Sequence, residues 1–474
     1  MNTDISYPPI TFNRRQFLRR AAAGAIAFTV LRSGVLGLHG ATSANNRLNI
    51  AGIGFGGQGA HDLAQMESEN IVALCDVDEA HAGRIFKKYG QAKRFRDYRK
   101  MLDEMKDIDA VVVATPDHHH AFASMAAIRA GKHVYCEKPL THSVWEARQV
   151  AQAARVAKIA TQMGNQGQAS DATRRLCELV WSGAIGPVHE THIWTDRPSQ
   201  GLFKEYWPQG VGRPSETPPV PATLDWDLWL GPAPQRPFHP AYLPFKWRGW
   251  WDFGTGALGD IGCHACDPVF RALKLGHPLS VQAASTRVNQ ETYPLGSMVT
   301  YEFPARPAAP QANNMHVAKL SGAAAGAGKM PACKLTWYDG GLRPPRPAAL
   351  PDGRLMGDNG RLLVGENGFI LNDTVYPEAR MKKIGEVPQS IPRVKDHYAE
   401  WIAACKGGPA AGSNFDWAGP LAEVVLLGNV ALRSQLREDL TRVKLMWDAT
   451  NLKFTNQDDA NAFIRRTYRD GWSL

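Results

Sequence analysis

Leu48-Asn49-Ile50-Ala51-Gly52-Ile53-Gly54-Phe55-Gly56-Gly57-Gln58-Gly59 is the stretch on which the fold turns. Its first half is a short apolar run of strand type, and a helical pattern continues from Ala60 to Met66. Between them stands Gly-x-Gly-x-x-Gly at Gly54, Gly56 and Gly59. In a strand–loop–helix unit the first glycine permits the tight turn, the second lets the backbone approach a pyrophosphate, and the third allows close helix–strand packing. The phosphates then meet the helix N-terminus, where free N–H groups and the dipole favour anions. Gly52, Gly54 and Gly57 offer a second register; the later one leaves the strand uninterrupted.

Working outward, Ile71-Val72-Ala73-Leu74-Cys75 forms a second strand and delivers Asp76, 22 residues after Gly54. A carboxylate there accepts from the ribose hydroxyls of an adenosine and repels a 2′-phosphate, favouring NAD over NADP; Asp78 is the alternative. The apolar run from Ile108 to Ala114 reads as a parallel strand buried on both faces. It ends in Thr115-Pro116-Asp117-His118-His119-His120, a loop that should face the cofactor because ligands bind at strand carboxyl ends. Three adjacent histidines without a supporting carboxylate or thiol set do not make a zinc site, and no metal is expected. His133-Val134-Tyr135-Cys136 then leads into Glu137-Lys138-Pro139, placing a lysine where a strand carries it to the cofactor's reactive end. Pro139 biases Lys138 towards extended geometry.

These segments together resemble the Gfo/Idh/MocA oxidoreductases, a family that includes glucose–fructose oxidoreductase and inositol dehydrogenase. The matching stretches are Gly54 to Gly59, Thr115-Pro116 with His120, Ala130-Gly131-Lys132-His133-Val134 into Glu137-Lys138-Pro139, Gly259-Asp260-Ile261-Gly262-Cys263-His264, and the ending Tyr468-Arg469-Asp470-Gly471-Trp472. The resemblance implies an α/β protein: an N-terminal Rossmann domain and a C-terminal α/β domain with a large, open, mostly antiparallel sheet that often forms the oligomer interface. It implies catalytic roles for Lys138, Asp260 and His264. It also implies nicotinamide-side contacts from Thr115, Pro116, His118, His120 and Glu137. With Gly54, Phe55, Gly56, Gly59 and Asp76 these complete the expected cofactor set. Gln166, near the domain junction, touches cofactor or substrate.

Asp260 and His264 are four residues apart and share one face of a helix. An imidazole near its ordinary pKa suits removal of a hydroxyl proton as hydride leaves the same carbon. Asp260 either orients that imidazole or binds a neighbouring sugar hydroxyl, and Lys138 stabilises the developing alkoxide. Upstream, Arg248, Trp250 and Trp251 lie in a run of aromatic residues and glycines, either as a sugar-stacking wall or as braces for the loop. Asp196 and Arg197, at the end of a probable strand of the second domain, are further candidate substrate contacts.

Composition is that of a globular protein, 44% hydrophobic and 21% charged, and a net charge of +9 without a long basic block excludes a nucleic-acid reading. The seven cysteines are scattered and do not form a disulfide framework. Residues 1–44 read as a twin-arginine signal peptide: Asn13-Arg14-Arg15-Gln16-Phe17-Leu18-Arg19, an apolar run over 21–31, and small residues at 41–44. Residues 45–165 would then be the Rossmann domain and 166–474 the substrate and oligomerisation domain, with its last helices packing back on the first. Helices are expected over 393–406 and 417–437, the latter apolar on one face, and no later segment reaches 18 apolar residues.

The expected protein is thus periplasmic or otherwise exported by the twin-arginine machinery and forms a homo-oligomer through the second sheet. Free NAD is scarce there, so the cofactor is expected to be tightly held and regenerated in place. That leaves three functional classes: an oxidoreductase on a sugar, polyol or glycoside hydroxyl; an NAD-dependent glycosidase or lyase working by oxidation, elimination and reduction; and a non-catalytic sugar sensor.

Overall fold

The computed structural model describes residues 46–200, 204–307, 329–437 and 442–474. The proposed leader, residues 1–44, lies outside them. Six strands form the first sheet: β1 (Asn49–Ile53), β2 (Asn70–Cys75), β3 (Lys93–Phe95), β4 (Ala110–Val113), β5 (His133–Cys136) and β6 (Thr161–Met163). Their order is β3-β2-β1-β4-β5-β6 and every neighbouring pair is parallel. The chain reverses its direction of progress across the sheet between β1 and β4, the switch point at which such folds open a ligand crevice. All four residues of β4 are buried, as a strand covered on both faces requires.

The second sheet has nine strands among the described residues. In spatial order they are Thr374–Tyr376, Gly368–Leu371, Gly360–Gly365, Val188–Trp194, Cys333–Tyr338, Ser297–Phe303, Ser280–Ser285, Leu445–Asp448 and Lys453–Phe454. Only Val188–Trp194 and Cys333–Tyr338 run parallel; the other pairs are antiparallel. Along Ser297–Phe303 the residues Ser297, Val299, Tyr301 and Phe303 are buried while the alternate ones are not, the period of two expected when one face is covered. The helices Gly256–Ala272 and Phe415–Ser434 lie on that face, and the Tyr301 hydroxyl donates to the Val425 carbonyl at 3.4 Å.

The helix Phe415–Ser434 departs from the one-faced pattern. It is buried on nearly every side because it lies between the sheet, the helix Gly256–Ala272 and the helix Val144–Ala157 of the first half. Arg148 donates to both oxygens of the buried Glu423 at 2.8–3.1 Å and so fixes this crossing. By length and composition alone the helix is apolar enough to cross a membrane, but it packs within the core, and Asp416, Glu423 and Arg433 break it into shorter apolar runs. The helix expected over 393–406 is His397–Cys405, started by the Asp396 side chain accepting from the Ala399 N–H.

Candidate active site

The glycine loop takes the later register. Gly54 has φ +76°, and a Cβ there would lie 2.9 Å from the Ala114 carbonyl and from Thr115. A Cβ on Gly59 would run into the Gly54 carbonyl. Gly59 is therefore the close-packing glycine and Gly54 the turn, with Gly57 in open space. The helix Gln58–Gln65 starts with no side-chain cap. Asp76, just past β2, accepts the Phe55 N–H at 3.1 Å on one oxygen and the Asp78 N–H at 3.0 Å on the other. Burial raises its pKa, against those two backbone hydrogen bonds. Asp78 instead starts the next helix by accepting from Ala80 and His81.

From this loop a cavity of about 530 Å³ runs between the two halves to the helix Gly256–Ala272. Gly54, Phe55, Gly56, Asp76, Thr115, Pro116, His120, Glu137, Lys138, Gln166, Arg248, Asp260 and His264 all line it. Residues more than 120 positions apart thus share one wall. Lys138 follows β5 and, joined to Pro139 by a cis peptide, reaches across to Asp260 Oδ1 at 2.7 Å. Arg248 Nε donates to the same oxygen at 2.9 Å. Burial alone would raise the Asp260 pKa; Lys138 and Arg248 outweigh it and hold the carboxyl well below the usual range. Asp260 thus anchors two cations on one oxygen, and no hydrogen bond joins it to His264.

His264 lines the cavity one turn further along. Burial, and then the Lys138 charge, push its pKa down to about 3, against the nearby Asp260. The imidazole is thus neutral near pH 7, with a pKa well below the near-ordinary value expected from sequence. Glu137 is buried; its Oε1 accepts from Gln166 at 2.8 Å, and Gln166 also donates to the Tyr135 and Tyr398 hydroxyls. Burial, then the charge of Asp62, raises the Glu137 pKa well above normal. His120 places both ring nitrogens on carbonyl oxygens, Pro139 at 2.7 Å and Thr115 at 2.8 Å, and so ties the β4 loop to the lysine's own turn. Asp117, unremarked in the sequence, is buried beside this cluster with Oδ2 2.5 Å from the Thr255 hydroxyl, and burial lifts its pKa to about 7.

Six expected residues do not line the cavity; Gly59 is one, packed instead against the Gly54 carbonyl. His118 turns away, its ring against the carbonyls of Phe253 and Trp229 at 3.2 and 2.9 Å; His119, next to it, lines the cavity. Trp250 and Trp251 are buried braces whose indole N–H groups donate to Ala241 and Asn289 carbonyls, each at 2.9 Å. Trp247 and Phe245 supply aromatic wall instead, and the Arg248 guanidinium stacks on both at 4.2 and 4.0 Å. Asp196 and Arg197 pair with each other at 2.7 Å, and Arg197 sits 4.5 Å over the ring of Tyr206, which does line the cavity. Trp472, from the ending that resembles the family, also lines it, as do Leu228 and Trp229, which no local motif marks. Among the described residues no three His, Cys, Asp or Glu side chains gather as a metal site.

Residues 47–165 match the model of the oxidoreductase family GFO_IDH_MocA, NAD-binding Rossmann fold, and residues 173–303 match the model of the family's C-terminal alpha/beta domain. Inositol 2-dehydrogenase of Salmonella typhimurium is 31% identical over 153 residues, 31% of this chain and 45% of that protein. D-glucoside 3-dehydrogenase of Escherichia coli is 33% identical over 147 residues, 30% of this chain and 41% of that protein. The chain matches less than half the length of either relative. The crystal structure of the WlbA dehydrogenase from Bordetella pertussis, in complex with NADH and UDP-GlcNAcA, shares the fold with a TM-score of 0.53 at 15% identity, covering 85% of this chain and 99% of that one. Two models of a single family match more than half of the sequence, each on its own sheet, and the chain belongs to the Gfo/Idh/MocA oxidoreductase family.

Proposed function

We propose that the protein oxidises a hydroxyl of a sugar, polyol or glycoside with a nicotinamide dinucleotide bound along the cavity. The observation that carries this reading is the cluster of Lys138, Asp260, Arg248 and His264 on a wall continuous with the glycine loop. The residues present fit the dinucleotide: Gly57, at the uncapped start of the helix Gln58–Gln65, lines the cavity with open space where a Cβ would stand, and the Thr115 hydroxyl on the cavity wall is buried without a partner. The bound nicotinamide supplies the hydride acceptor. Asp76 favours NAD over NADP, because a 2′-phosphate would meet a half-buried carboxylate whose two oxygens already hold the loop.

The chain's own groups do the rest. Lys138 spends one N–H on Asp260 and keeps two for a substrate oxygen, where its charge stabilises a developing alkoxide. Asp260 holds the ammonium in place. His264 is neutral and makes no hydrogen bond among the described residues, so a ring nitrogen is free to accept a hydrogen bond from the substrate hydroxyl. Phe245, Trp247 and Tyr206 offer apolar faces to a sugar ring. The sensor reading is not favoured, since binding alone needs no such set. Export by the twin-arginine route and assembly through the nine-stranded sheet remain part of the proposal; the basic motif at Arg14-Arg15 and the family's habit support them.

The test is turnover of a panel of sugars and polyols followed by nicotinamide absorbance. Lys138→Met should lower kcat by about 10²–10³-fold, the loss typical of one transition-state donor. Unchanged turnover in that variant overturns the assignment. Release of an aglycone with no net change in nicotinamide would assign the chemistry to elimination instead.

A further inference from the structure

In an open α/β sheet the carboxyl ends of the strands form an exposed crevice. Here the end of β2, where Asp76 stands, is not exposed. A segment of the second half, residues 223–231, lies along it. The Glu79 N–H donates to the Thr223 carbonyl at 3.0 Å, the Asp225 N–H donates to the Val77 carbonyl at 2.9 Å, and Asp78 and Leu224 form an antiparallel bridge. The segment continues as the short helix Trp226–Leu230, and its Leu228 and Trp229 line the same cavity as Asp76.

Two further elements hold this segment down. On the side of the first half, His118 and His119 both approach the Trp229 carbonyl, at 2.9 and 3.0 Å. On the other side, Arg469 donates from its backbone N–H to the Pro232 carbonyl at 3.1 Å, from Nε to the Gly231 carbonyl at 2.9 Å, and from the guanidinium to Asp227 and Gln235 at 2.5 and 2.7 Å. The stretch carrying Arg469 is itself moored to the first half by Arg466, which donates to the buried Glu146 at 2.7 Å. Three residues further on, Trp472 returns to the cavity wall beside His119, with ring centroids 5.6 Å apart.

We propose that residues 223–231 are a strap that closes the adenosine half of the dinucleotide site, latched by Arg469 and finished by Trp472, so that the cofactor leaves only when the strap lifts. The proposal rests on the dinucleotide reading above. Leu228, Trp229, Tyr98 and Trp472 supply apolar walls for the adenine, while Asp76 takes the ribose. Opening must break the backbone bonds to Val77 and Glu79 and the Arg469 latch together, which places the barrier on dissociation. A closed-cycle enzyme, restoring its nicotinamide before release, needs such retention.

The test measures NADH release from the full-length protein by fluorescence during a chase with excess unlabelled NAD. It is paired with amide hydrogen exchange of 223–231 with and without NADH. Wild type should release slowly and show protection of 223–231 by NADH. Asp227→Ala, at a position exposed enough to spare the fold, should speed release by about tenfold, the effect of losing one charge-assisted hydrogen bond to the strap, and Arg469→Ala, which removes the side-chain bonds to Gly231, Asp227 and Gln235 together, should speed it further. They should still bind NADH and should lose the protection. Variants that fold and release at the wild-type rate overturn the strap alone. Wild type that binds no dinucleotide overturns the parent reading with it.

Discussion

At the scale of single residues, the site is governed by how its charges are shared. Asp260 carries two cations on one oxygen, so removing either weakens what holds its carboxyl ionised. Arg248→Met should raise the Asp260 pKa and move the acid limb of kcat/KM to higher pH, visible by comparing pH–rate profiles of the two proteins. Phe245 is a non-glycine residue at φ +67°, centred on a tight turn in which the Lys246 N–H donates to the Pro244 carbonyl at 2.7 Å. Phe245→Gly relieves that backbone and removes the ring. It should leave the melting temperature unchanged or higher while raising the sugar KM. Lys138 and the glycine loop were legible in the sequence because strand, turn and spacing fix them locally. The aromatic wall was not: the turn at Phe245 sets which rings face inward, so Trp247 lines the cavity and Trp250 and Trp251 do not. His118 and His119 differ for the same reason, since successive helical residues point about 100° apart and the helix phase is fixed by its packing.

At the scale of elements, close approach and capping carry the energy. Gly59→Ala would force the helix Gln58–Gln65 off the Gly54 turn. A cost of about 1–3 kcal/mol in urea unfolding is expected, with a larger relative loss of NADH affinity by titration. The helix Val144–Ala157 begins with a capping box of Ser143 and Glu146, and Glu146 also receives Arg466 and the Tyr468 hydroxyl. Ser143→Ala should cost about 1 kcal/mol. Glu146→Ala should cost about 3 kcal/mol, because it leaves the largely covered Arg466 side chain without its buried counter-charge. The first sheet was readable strand by strand from apolar runs ending in turn residues. The burial of Phe415–Ser434 was not, because the helix that covers its outer side is 270 residues away in sequence and the Arg148–Glu423 pair is invisible to a periodicity.

At the scale of the whole molecule, buried histidines tie stability to pH. His397 is buried, and burial lowers its pKa from 6.5 to about 4. The folded state then holds fewer protons than the unfolded one between those values. Its contribution is complete above pH 6.5 and is lost as pH falls towards 4. Asp62 and Asp339, raised by burial to about 6, act in the opposite sense, losing stability as pH rises from near 4 through 6. The informative quantity is therefore a difference: His397→Asn should gain on wild type as pH falls from 6.5 to 4, by on the order of a few kcal/mol at the acid end, read as the gap between melting temperatures. For localisation, replacing Arg14 and Arg15 by lysine should leave the precursor in the cytoplasm, checked by cell fractionation.

The apolar helix Phe415–Ser434 bears on the proposed export route. By length and composition alone this stretch passes for a membrane span to a translocon that threads an unfolded chain, as a buried core helix can. Folding first removes the hazard, since the same twenty residues are then sealed between a sheet and two helices. Fusing the chain behind a leader for the threading route should therefore strand it in the membrane fraction. Charged substitutions on this helix that relieve the arrest should do so at the expense of the folded core.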